Sequence, residues 1–139
     1  MKRFVIILCA VISALCVYPC TNFMAGKAAT EDGSIIVTYA ADSYSLYGFL
    51  RFRPAADHQP GEMRKIEDWD TGKPLGEIPE VAHTYSVVGN MNEHQLVIGE
   101  TTYGGREELY GESGVDYGSL IYIALERCKT AREAIECMT

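Results

Sequence analysis

The sequence predicts an α+β fold in which β-strands occupy the first part of the chain and helices follow. Segments with the side-chain alternation of strands, bounded by Gly, Pro and Asp-Gly signals, run as far as Thr102. Helical spacing of apolar residues begins at Tyr117. The length of 139 residues fits one domain, and the hydrophobic share of 47% lies in the globular range.

A hairpin is the first predicted element. Its strands are Cys20–Gly26 and Ile35–Tyr39, and its turn is Thr30–Gly33, where Asp-Gly supplies residues that tolerate a positive φ. Phe49–Arg53 alternates apolar and basic side chains, which is typical of a half-exposed strand.

A long loop and a second hairpin are predicted next. Pro54–Pro79 is rich in Pro, Gly and charge and contains the single tryptophan, Trp69, so we expect an elaborated loop with short strands. Tyr85–Gly89 and Leu96–Thr102 are then expected to pair around Asn90–His94.

Two helices complete the predicted order. The first has one apolar face formed by Tyr117, Leu120, Ile121, Ala124, Leu125 and Cys128. The second opens with the capping box Thr130–Glu133, and its apolar face comprises Ala131, Ala134, Ile135 and Met138. The chain stops at Thr139, about two turns after this box, so we expect a fragment of a longer protein.

The first 19 residues have the pattern of a signal peptide. Lys2 and Arg3 precede the apolar run Phe4–Tyr18, which is too short to span a bilayer, so we expect export without stable membrane insertion. The location would be periplasmic or extracellular. A buried N-terminal strand or helix is the alternative. Residues 1–19 are therefore interpreted as a signal peptide plus a short propeptide, and residues 20–139 as the folded part.

The cleavage pattern points to Cys20. Small residues suit the sites before a signal-peptidase cut, and Ala14-Leu15-Cys16 fits best, which leaves Val17–Pro19 in front of Cys20. A lipid anchor on Cys20 is the competing interpretation. Pro19 argues against it because that signal needs a small residue before the cysteine.

Charge limits the class of molecule that the protein binds, and cysteine content limits how its thiols pair. Without Lys2 and Arg3, 10 basic residues face 19 acidic ones, a net charge of −9. Nucleic acid is excluded as a partner by this balance. The cysteines after residue 19 are Cys20, Cys128 and Cys137, an odd number that suggests one free thiol beside a Cys128–Cys137 disulfide.

Motifs for several enzyme classes are missing from the sequence. It contains no G-x-S-x-G elbow, Walker loop, H-E-x-x-H or paired C-x-x-C, which leaves serine-hydrolase, nucleotide and zinc interpretations without support. His58, His83 and His94 are isolated, and we expect no metal site.

Cys20 can act as a nucleophile if it becomes the first residue. A free α-amino group titrates near pH 8, so an N-terminal cysteine has a base on the same residue and needs no histidine. A half-cystine or a buried thiol is the alternative role for Cys20.

The residues around Cys20 and those near position 100 resemble one enzyme family. The matching segments are Cys20–Lys27, Asp32–Ser34, Asp42, Gly89–His94 and Gly99–Arg106. Together they resemble the bacterial secreted dipeptidases of the cysteine N-terminal nucleophile (Ntn) hydrolases, which are related to choloylglycine hydrolase and penicillin V acylase. The resemblance runs from Cys20 to the end of the chain.

This resemblance implies an αββα four-layer sandwich, of which the chain would hold the N-terminal half. It implies that Cys20 is nucleophile and carrier of the α-amino base, and that Asp42 orients both groups. It also implies an oxyanion or substrate contact at Thr101 and Thr102, although such β-branched residues also suit strand packing. We expect Asn92 and Glu93 to shape the hairpin and not to touch substrate.

The sequence departs from the family at one readable position. Many relatives have an arginine three residues before the aspartate, where this chain has Tyr39. The sequence leaves open whether Tyr39 replaces a functional arginine.

A cysteine-dependent dipeptidase acting on small peptide substrates through an acyl-enzyme is the function predicted from these residues. An Ntn amidase for bile-salt or penicillin-type amides is the first alternative. A secreted or lipid-anchored binding module with a structural Cys20 is the second. No cofactor is expected, and the sequence leaves open whether the chain forms a homo-oligomer.

Overall fold

The structure is a computed structural model that describes residues 20–41, 48, 50–101, 106, 108 and 114–139. These residues divide into two compact units, one comprising residues 20–41 and 100–101 and the other residues 48, 50–99, 106, 108 and 114–139. The described residues contain small antiparallel sheets followed by two helices. The predicted α+β class is confirmed.

The first unit contains the predicted hairpin. Strands β1 (Thr21–Ala25) and β2 (Ile36–Ala40) pair antiparallel, from Thr21 opposite Ala40 to Ala25 opposite Ile36. The connection begins with a 3-10 turn at Lys27–Ala29. It ends at Gly33, whose φ of 72° favours glycine. The prediction for this hairpin is confirmed.

The second unit contains seven short described strands. They are β3 (Phe52–Arg53), β4 (Ala56–Asp57), β5 (Met63–Glu67), β6 (Pro74–Pro79), β7 (His83–Thr84), β8 (Val87–Val88) and β9 (Met91–Asn92). Their sheets are β3-β8-β9, β4-β7 and β5-β6. The loop predicted at Pro54–Pro79 thus contains three of these strands. The strand predicted at Phe49–Arg53 is described only as β3, and Phe49 lies outside the described residues.

The second predicted hairpin is wrong, because the strands that pair differ from the predicted ones. Strands β8 and β9 are joined by the two-residue turn Gly89–Asn90, and Met91 then bridges Val97. Gly89 has a φ of 55°, the backbone conformation that a two-residue hairpin turn needs at its first position. The chain therefore reverses earlier than the sequence prediction places the turn.

Both predicted helices are present. Helix α1 (Tyr117–Arg127) is N-capped by Asp116, whose carboxylate accepts from Ser119 N, and helix α2 (Ala131–Met138) has the predicted capping box. The buried core of this unit lies between the helices and the β8–Leu96 segment; it comprises Val87, Leu96, Tyr122, Ala124, Leu125, Cys128 and Ala134. Within the described part of the chain, neither helix has the length and apolar character needed to cross a membrane.

Candidate active site around Cys20

Cys20 lies immediately before β1 and is half-buried. Its Sγ donates a hydrogen bond to Glu100 Oε1 over 3.5 Å. The two residues are 80 positions apart in the sequence and belong to the same compact unit. The fold of that unit therefore places a carboxylate beside the predicted nucleophile.

Asn22 holds the segment that contains Glu100. Its side-chain Nδ2 donates to the backbone carbonyl of Glu100 at 2.6 Å. Asn22 is in β1, two residues after Cys20, and residues i and i+2 of a strand share one face of the sheet. The strand that positions the thiol thus also fixes the backbone from which the carboxylate projects.

Of the three other predicted site residues, the structure describes only Thr101. Thr101 follows Glu100 directly and is exposed. Asp42 and Thr102 lie outside the described residues, so their roles stay predictions. Tyr39, at the place where relatives have arginine, pairs across the hairpin with Asn22.

Glu100 is the site residue that sequence reasoning missed. It lies within the Gly99–Arg106 segment that carries the resemblance, but no spacing rule links it to Cys20. In this contact the thiol is the donor and the carboxylate is the acceptor.

Asn92 and Glu93 shape the hairpin region, as predicted, and the expectation that neither touches substrate stays a prediction. Asn92 is buried and its side chain makes four hydrogen bonds, to the carbonyls of Leu125 and Cys128 and from the amides of His94 and Leu96. Glu93 accepts from the amide and hydroxyl of Ser86. Both residues fix the β8–β9 turn and the loop after it.

A polar cleft of about 490 Å³ lies in the second unit. On one wall, Glu126 is buried between Arg53 and Arg64 and forms an ion pair with each. On another, Arg51 lies 4.4 Å from the ring centroid of Trp69. The two ion pairs of Glu126 tie β3 and β5 to α1.

The three histidines contact neighbours within the second unit. His58 is hydrogen-bonded to Glu62 and Thr84. His83 is paired with Asp57, and His94 packs edge-on against Tyr85. Across the described ranges, no three His, Cys, Asp or Glu side chains are grouped so that they could hold a metal ion.

The disulfide predicted between Cys128 and Cys137 is absent, since both are free thiols in the structure. Cys128 is buried where α1 ends, and Cys137 is exposed on α2. Burial raises the pKa of the Cys128 thiol to about 11, and a hydrogen bond and charge interaction with Cys137 add to the effect. The two side chains are thus close, but they are not bonded.

Comparison with known proteins identifies one family. The model of peptidase family C69 matches residues 53–139, which is more than half of the chain. The matched segment includes Glu100 and Thr101, and Cys20 precedes it. No solved structure matches the chain.

Proposed function

Because the chain belongs to peptidase family C69, whose members are cysteine-type peptidases, we propose that it is a dipeptidase with Cys20 as its nucleophile. The observation that carries this proposal is the contact between the Cys20 thiol and Glu100, in the segment next to Thr101. Among the three described cysteines, Cys128 is buried and Cys137 is exposed on a helix. Cys20 donates its thiol hydrogen bond to Glu100, whose backbone is anchored by Asn22.

The proposed reaction has two stages. The α-amino group of a mature Cys20 takes the thiol proton, and the sulfur attacks the peptide carbonyl of the dipeptide. The same amine then returns the proton to the leaving amino group as the C–N bond breaks, which leaves a thioester on Cys20. Water, deprotonated by the amine, hydrolyses this thioester and releases the first amino acid and the thiol.

Maturation would use the same sulfur. In the proposal, a signal peptidase removes the exported chain's leader, and the Cys20 thiol attacks the carbonyl of Pro19. The peptide nitrogen leaves as the free α-amino group, and water hydrolyses the thioester to a Pro19 carboxylate. The first of these steps frees the base and the second frees the nucleophile.

The roles of the other site residues are proposed from the same family resemblance. Asp42 would keep the thiol and amine oriented, and Thr101 and Thr102 would contact the oxyanion or the substrate. In the proposal these groups lie in an αββα sandwich. The small antiparallel sheets and two helices of the described residues are compatible with part of such a fold.

The test compares hydrolysis by the full-length protein and two Cys20 variants. Cys20→Ala should lower dipeptide hydrolysis by about 10³-fold or more, as expected for loss of a nucleophile. Cys20→Ser should retain little activity because a hydroxyl is far less acidic than a thiol. Cys137→Ala is the matched control and should keep wild-type activity.

Substrate class is tested with the same proteins. Dipeptides should be cleaved in preference to conjugated bile salts and penicillin-type amides. Faster cleavage of either amide class would overturn the dipeptidase assignment. Full dipeptide activity in Cys20→Ala would overturn the assignment of Cys20 as the nucleophile.

A further inference from the structure

Glu100 is positioned to interact with whatever binds at the Cys20 thiol. Its Oε1 lies 3.5 Å from Sγ, and its own backbone carbonyl is fixed by the side chain of Asn22 at 2.6 Å. The carboxylate is thus attached to an anchored backbone and directed towards the reacting atom. Cys20 and Glu100 are both half-buried, which strengthens charge interactions relative to bulk water.

We propose that the Glu100 carboxylate binds the α-ammonium group of the substrate's first residue. The enzyme would then require peptides with a free N-terminus, and the group transferred to Cys20 would be an α-aminoacyl group. This inference rests on the proposed function, since it needs Cys20 as the nucleophile.

The distances of a bound dipeptide suit this role. A carbonyl carbon poised for attack lies about 3–3.5 Å from the nucleophile. The α-nitrogen lies about 2.5 Å from that carbon, as follows from the N–Cα and Cα–C bond lengths and the angle between them. An oxygen 3.5 Å from Sγ can therefore reach the ammonium at the roughly 2.7–2.9 Å of a charge-assisted hydrogen bond.

Charge balance favours the same arrangement. In the proposed reaction the thiol proton passes to the α-amino group of Cys20, so the thiolate gains an ammonium of its own beside the Glu100 carboxylate. A substrate ammonium adds a second positive charge within reach of that carboxylate. A substrate whose first residue lacks this charge loses the interaction with Glu100 and should react more slowly.

The experiment replaces Glu100 by glutamine in the full-length protein. Glutamine keeps an oxygen that can accept the thiol hydrogen bond but removes the charge. The substrates are a dipeptide such as Ala-Ala and its analogue in which the α-ammonium is replaced by hydrogen. The readout is kcat/KM for each substrate, together with the N-terminal residue of each purified protein.

The wild-type protein should prefer the free dipeptide by about 10²-fold, the value of one charge-assisted hydrogen bond in a half-buried site. Glu100→Gln should lose most of that factor on the dipeptide and little on the analogue, so that the preference collapses. Glu100→Asp should show part of the preference that Glu100→Gln loses. Glu136→Gln, which removes an exposed carboxylate on α2, should leave the preference unchanged.

Three results would overturn the inference. Equal losses on both substrates, or a variant that is no longer cut before Cys20, would mean that Glu100 serves the thiol or its amine and not the substrate. An unchanged preference would mean that Glu100 does not contact the ammonium. Any of these results, with Cys20→Ala still inactive, leaves the proposed function standing, whereas an active Cys20→Ala variant removes the proposed function itself.

Discussion

Replacing Asn92 by alanine should destabilise the second unit more than an average core substitution does. The side chain is 3% exposed. It donates to Leu125 O at 2.8 Å and Cys128 O at 2.7 Å, and it accepts from the amides of His94 and Leu96 at 3.0 Å each. Each bond is worth about 1 kcal/mol, and each buried group left without a partner adds a desolvation cost. The expected loss is about 4 kcal/mol.

The assay is urea denaturation of wild type and variant, with the free energy of unfolding taken from midpoints at matched slopes. Asn92→Asp should also be destabilising at neutral pH, by at least about 2 kcal/mol, because it turns two donors towards carbonyls into acceptors. Gln59→Ala, at an exposed loop position, is the control and should change stability by less than about 0.5 kcal/mol. A loss below about 1 kcal/mol in Asn92→Ala would show that these four bonds do not hold the loop to α1.

Three further predictions concern other contacts. In Gly118→Ala, the new Cβ would lie 2.5 Å from Trp69 Cγ, so the denaturation midpoint should fall by an amount worth about 2 kcal/mol; an unchanged midpoint would contradict this packing. Gln95 has a φ of 64°, and Gln95→Gly should gain about 0.5–1 kcal/mol where Gln95→Ala gains nothing; equal effects would contradict strain as the cause. At pH 8, iodoacetamide should modify Cys137 but not Cys128, whose pKa is raised to about 11 by burial; equal labelling in the folded protein, measured by peptide mass, would contradict that burial.

The raised pKa of Cys128 also sets the direction of a pH effect. The folded protein holds this proton more tightly than the unfolded chain, whose thiol has the ordinary value of 9.0. The corresponding stability is fully present below that value and is lost as pH rises towards 11. Cys128→Ser should therefore flatten the alkaline fall in the denaturation midpoint, whereas Cys137→Ser should flatten it less.

Elements with strong local signals were predictable from the sequence. The spacing of apolar residues and the Thr130–Glu133 capping box predict the helices, and Asp32-Gly33 predicts the turn of the first hairpin. The second hairpin was misplaced because Gly89–Asn90 can reverse the chain in two residues, whereas the apolar segments on either side favour a longer loop.

The candidate site was predictable only where its chemistry lies within one residue. In the proposed function Cys20 supplies a thiol and, after processing, an α-amino group, so its position shortly after a predicted signal peptide is informative. Glu100 was missed because its relation to Cys20 exists only after 80 intervening residues have folded. The four bonds of Asn92 depend in the same way on the end of α1, since two of their partners are carbonyls of Leu125 and Cys128.

We propose that Cys20 becomes the first residue of the enzyme by its own chemistry. The most direct measurement is the intact mass and N-terminal sequence of the full-length protein and its Cys20→Ala variant, both purified after export. The wild-type protein should begin at Cys20, and the alanine variant should retain Val17–Pro19 ahead of position 20 and show no dipeptide hydrolysis. An active wild-type protein that still carries Pro19 would contradict processing by the Cys20 thiol, as would an alanine variant that begins at position 20.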